Sequence, residues 1–136
     1  KFYTMHWSVM VEFWGAVLLE HNTSLDEMLV TRALANLFDL GDDITATKMS
    51  DYGYPEPHEA HPIPNEPQVR KIKQVLNEVQ DRTQITALMH GYGPTKDFAR
   101  RFQIVGDSDA HGVWINRYGY LGDDKLDTIR DIWKEA

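Results

Sequence analysis

The chain has no cysteine among its 136 residues. Disulfides and thiolate metal sites are therefore excluded, and the redox compartment stays open. It also lacks an excess of positive charge: 14 Lys and Arg stand against 21 Asp and Glu, a formal net charge of −7. A general nucleic-acid binder needs a positive patch to meet phosphates, so nucleic acid is not an expected partner. No apolar run reaches membrane-spanning length, and the first residues do not read as a signal peptide, so no membrane partner is expected. No P-loop or dinucleotide fingerprint occurs, and Ser8, Ser50 and Ser108 lack a Gly-x-Ser-x-Gly elbow.

What is present begins with a repeated word. Three apolar runs end on Tyr-Gly: Ile44 to Tyr52-Gly53, Ile85 to Tyr92-Gly93, and Val113 to Tyr118-Gly119. Each is followed by a turn and then by helical spacing, the pattern of a repeated βα unit. The length fits one domain, residues 1–136, with one core. The chain starts at Lys1 and runs at once into the apolar stretch from Phe2 to Phe13. That start predicts a processed product or a piece of a longer chain.

Residues 2–9 are rich in aromatic and β-favouring types and predict a strand. Residues 10–23 fit either a helix or an anchored loop. Ser24-Leu25-Asp26-Glu27 has the spacing of a capping box, with Ser24 as cap, and the helix it opens ends at Gly41. A strand is predicted at 44–50, then a Pro-rich loop from Tyr54 to Pro64 that forbids helix and central strand. Val69, Ile72, Leu76 and Val79 predict the next helix, over 67–82. Strands at 84–90 and 112–117 flank a helix running from Thr95 through Phe98, Phe102 and Val105. Gly122-Asp123 starts the last helix, with Leu126, Ile129 and Trp133 on one side. The predicted order is β-α-β-α-β-α-β-α: an α/β fold of four βα units, half of a (β/α)8 TIM barrel. A small open sheet of the flavodoxin type is the alternative, weakened by the missing Gly-rich loop after the first strand.

The stretches Ile85–Gly93, Thr95–Phe102, Gly112–Leu121 and Lys125–Trp133 resemble the C-terminal end of TIM-barrel proteins related to glycoside hydrolases. A "G-V-x-x-x-x-Y-G" strand followed by an "L-x-x-I" helix commonly closes such barrels. The similarity covers residues 83–135 well and 44–82 loosely. It implies a hydrolase-like domain that acts on or binds carbohydrate, by hydrolysis of a glycosidic bond where it is active. One departure stands out. Many barrel glycosidases end the seventh strand on a catalytic Glu, whereas this chain reads His90-Gly91-Tyr92.

Strand ends supply the candidate site. Asp51, His90 and Arg117 are the catalytic candidates, and His6, Tyr52, Tyr92, Asn116 and Tyr118 the substrate-binding ones. Aromatic and His faces stack on sugar rings, while Asn, Arg and Asp bond hydroxyls. Glycoside hydrolysis needs two carboxyl groups, and Asp51 is the best placed, ahead of Glu12, Glu56 and Glu59. The plain alternatives are that Tyr-Gly merely forms a turn, with Gly at positive φ, and that Asp51 makes an Asx turn. No cofactor is implied by the carbohydrate reading. A competing reading is a divalent-metal-dependent hydrolase or phosphoesterase. Its ligands would be His6, His90, Asp109 and His111, because Asp107-Ser108-Asp109-Ala110-His111 is similar to the "S-D-A-H" word of metal-dependent phosphoesterases. His58-x-x-His61 is a further possible ligand pair, set among prolines. Gly91-Tyr92-Gly93-Pro94-Thr95 could hold an anion through amides, although Pro94 removes one donor. A third reading is a non-enzymatic half-barrel. Its two open edges would pair in a homo-oligomer or with a complementing N-terminal half.

Overall fold

A computed structural model describes residues 5–40, 48–61 and 63–135. These form five helices and two strands: α1 Met5–His21, α2 Glu27–Leu37, α3 Asn65–Val79, β1 Thr86–His90, α4 Thr95–Gly106, β2 Gly112–Asn116 and α5 Asp123–Glu135. They fall into two compact units. One holds residues 5–40, 48–55 and 63–67, and the other holds 56–61 and 68–135. The half-barrel of four βα units is therefore not the architecture. Among the described residues there is one small sheet of two parallel strands.

The first unit is helical. The strand expected at 2–9 is overturned over its described part, because residues 5–9 begin α1. They lead directly into the mainly apolar residues that follow. A mainly apolar stretch of this length, Val9 to Leu19 with Glu12 its one charge, is long for a strand and ordinary for a helix. Helix α2 starts two residues later than the capping-box spacing predicts. Asp26 is its cap and accepts from the Leu29 amide at 2.9 Å, while the Ser24 hydroxyl turns to Asn22. Val11, Val30, Leu34, Ala35, Leu40, Tyr52 and Ile63 form the core of this unit. Gly15 lies where α1 meets Met49, and a Cβ there would make the Met49 side chain shift.

The predicted strand at 44–50 falls partly outside the described residues. Its described end is a 3-10 turn, Met49–Tyr52. The Asp51 carboxylate accepts from the Lys48 amide at 3.1 Å. This local side-chain bond offers the backbone an alternative to a sheet ladder.

The second unit follows the expected βαβα order from β1 onward. Strands β1 and β2 run parallel, with Thr86 opposite Gly112 and His90 opposite Asn116. Helix α4 connects them and α5 follows. Ile72, Ala87, Met89, Phe98, Phe102, Ile104 and Val105 are its buried apolar residues. Phe98 stacks on Phe102 with centroids 5.8 Å apart, and Trp133 of α5 closes on Phe102 at 6.1 Å. The spacing 98, 102, 105 is one face of a helix, which is why this segment folds as one against the strands.

Candidate functional site

The in-register pairing brings the carboxyl ends of both strands to the same level, and ligands of open α/β sheets bind beyond those ends. The end of β1 at His90 and the loop that leaves it, residues 91–94, are held there by two cations. Arg101 of α4 reaches back along the helix side. Its Nη1 donates to the His90 carbonyl at 3.1 Å, and its Nη2 donates to the Tyr92 carbonyl. Its Nε donates to Asp97 Oδ2 at 2.9 Å, and both side chains are 3 % exposed. Burial alone would raise the Asp97 carboxyl. Arg101 and Arg100 outweigh it and hold the carboxyl below the usual carboxylate range. From α5, the Lys125 ammonium donates to Gly91 O at 2.7 Å, Gly93 O at 2.7 Å and Tyr120 O at 2.8 Å. All three of its protons are used. Burial lowers its pKa from the ordinary lysine value.

Two glycines let the loop take this path. Gly91 donates its amide to Asn116 O at 2.9 Å, and a Cβ there would press on Leu121. Gly93 has φ +90 and lies against Asp97 and Arg101, so no larger residue takes its place without strain. The expectation of positive φ holds at Gly93. It fails at Gly53, whose φ is −61, and the residue in the left-handed region after β2 is Arg117, with φ 65.

Above this base sits a polar and aromatic cluster. Tyr92 and Tyr120 meet edge to face with centroids 4.9 Å apart. Desolvation, then the charge of Glu56, pushes the Tyr92 hydroxyl above its ordinary pKa. Tyr120 and Glu59 add to this and Arg117 opposes it. Glu56 and Glu59 belong to one closed turn. The Glu59 amide donates to Glu56 O at 2.9 Å, and the Glu56 amide donates to Glu59 Oε2 at 3.0 Å.

The structure gathers some of the sequence-derived candidates and separates others. Tyr92, Asn116, Arg117 and Tyr118 belong to the strand-end rim, and Tyr118 is 77 % exposed. His90 is at the same end but 2 % exposed. Asp51 and Tyr52 belong to the first unit, where Tyr52 is a core residue. His6 lies on α1 of that unit. His111 stands at the opposite end of the sheet from His90: its amide donates to Ile85 O, and its Nδ1 accepts from the Ile85 amide at 3.2 Å. Asp109 precedes it in the same turn. Five-residue strands separate the two ends by on the order of 13 Å, beyond the reach of a shared metal. Among the described residues, no group of three or more His, Asp and Glu is spaced to hold a metal ion.

Arg101 and Lys125 escape a reading based on strand ends alone. Their signal is a charge placed on an apolar helix face. Arg101 falls at i+3 from Phe98 and i−4 from Val105, and Lys125 at i−4 from Ile129. A charge on such a face must be paired or fully hydrogen-bonded, and both are. Comparison of the chain with protein families, with curated proteins and with solved structures finds no match.

Proposed function

We propose that the protein binds carbohydrate at the strand-end rim and hydrolyses a glycosidic bond there, with Glu56 and Glu59 as the carboxyl pair. The supporting observation is the edge-to-face pair of Tyr92 and Tyr120, 4.9 Å between centroids, at the strand ends that also carry Asn116 and Arg117. Sugars offer apolar C–H faces and a ring of hydroxyls. The Tyr92–Tyr120 pair suits the first, and Arg117, Asn116 and the two carboxyls suit the second. Glycoside hydrolysis needs one carboxyl as acid and one as base or nucleophile, and Glu56 and Glu59 are the carboxyls proposed for those roles.

Titration with a panel of neutral oligosaccharides, followed by NMR, tests binding. Saturable shifts at Tyr92, Asn116 and Arg117 are expected, with a loss of about tenfold in affinity for Tyr92→Ala, the size of one good aromatic contact. Glu56→Gln and Glu59→Gln should each abolish aryl-glycoside hydrolysis and keep binding. No response of the rim to any saccharide, or unchanged affinity in Tyr92→Ala, would overturn the proposal.

A further inference from the structure

A concavity lies in the same unit, between residues 58–60 and the start of α4. It has a volume of about 570 Å³ and is lined by His58, Ala60, Pro94, Lys96, Asp97 and Arg100. That volume is within the range of small-molecule sites, which combine apolar walls with a few converging polar groups. Ala60 and Pro94 are the apolar part. The polar part is cationic, in a chain whose formal net charge is −7. Lys96 and Arg100 are one helical turn apart on α4, so both project from the same face. Like charges at that spacing repel unless something negative lies between them.

The carboxylate that lines the cleft is shared between two arginines. Asp97 Oδ1 accepts from Arg100 Nη2 at 2.7 Å, and Oδ2 accepts from Arg101 Nε at 2.9 Å. One carboxylate is thus set against two guanidinium groups. The Arg100 fork is also steadied by the His61 carbonyl, 3.3 Å from Nη2. Lys96 has no ion pair among the described residues. His58 faces them from the loop side of the cleft.

We propose that this cleft is a binding site for a small oxyanion, the phosphate, sulfate or carboxylate group of a ligand, held by Lys96, Arg100 and His58. A divalent cation does not suit the same place, because two permanent cations line it. The carbohydrate rim is not needed for this site, and either can fail alone.

The test is an NMR titration of the intact protein with inorganic phosphate, sodium sulfate and sodium acetate, each at constant ionic strength. Saturable shifts confined to His58, Ala60, Lys96 and Arg100 are expected. Saturation by phosphate and sulfate alone identifies a tetrahedral oxyanion, and saturation by acetate as well identifies a site that also takes carboxylates. Lys96→Glu should weaken binding at least about tenfold, while Lys96→Ala weakens it less. Both variants should keep the wild-type spectrum away from the cleft, Lys96 being exposed. A drift that never saturates, or one that Lys96→Glu shares with the wild type, would overturn the proposal.

Discussion

His61 shows what burial does to a single titrating group. It lies 6 % exposed. Burial first, then the positive charge of Arg101, lowers its pKa to about 3; Arg100 and His90 act the same way and Asp97 opposes them. The imidazole is therefore neutral in the folded chain at any mild pH. In the unfolded chain it takes up a proton near pH 6.5. Between those two values the unfolded state binds more protons, so stability falls as pH drops, by up to about 1.4 kcal/mol per pH unit. Asp97 acts in the same direction only at lower pH. Its folded pKa lies below the unfolded one, so its contribution is lost as pH falls through the carboxylate range. Urea midpoints at pH 6.5, 5.75 and 5.0 should fall steadily in the wild type. They should be nearly level in His61→Gln, and an equal slope in both would assign the loss to other groups.

At the scale of elements, the helices differ in how plainly their sequences announce them. Helix α4 carries Phe98, Phe102 and Val105 at helical spacing, and its neighbours β1 and β2 are short apolar runs bounded by turn residues. All three were legible within one or two residues. Helix α1 was not. Its aromatic and β-branched start has the composition of a strand, and apolar residues on nearly every side erase the period that would mark a helix. The start of α2 was misassigned by one motif. Ser24 has capping-box spacing, yet the backbone turns at Asp26, whose carboxylate reaches the Leu29 amide. Asp26→Ala should cost about 1 kcal/mol, read as a drop of a few degrees in Tm, and Ser24→Ala much less. The reverse order would restore Ser24 as the cap.

For the whole molecule, the repeated Tyr-Gly word suggested one architecture repeated three times, and that inference failed. Tyr52 packs in a helical core, whereas Tyr92 and Tyr118 stand at the end of a parallel sheet. The same two letters serve unlike surroundings because the turn needs only their local chemistry. The candidate site was legible where it rests on strand ends, as at Tyr92, Asn116 and Arg117. It was illegible where it rests on packing across elements, as at Arg101 and Lys125. Each unit has its own buried core. Phe102→Ala should cost about 3–5 kcal/mol locally. In hydrogen exchange it should strip protection from β1, α4 and α5 and leave α2 as it was. Equal loss in α2 would mean that the two cores melt together.

The loop after β1 is fastened through its carbonyls, by Arg101 at His90 and Tyr92 and by Lys125 at Gly91 and Gly93. Carbonyls are present whatever the side chain. The path of the loop is thus held independently of the side chain at 92, so long as 91 and 93 stay glycine. A lineage, or an engineer, can rewrite the recognising face at position 92 and keep the frame beneath it. The four glycine and cation positions mark where such a rewrite has to stop.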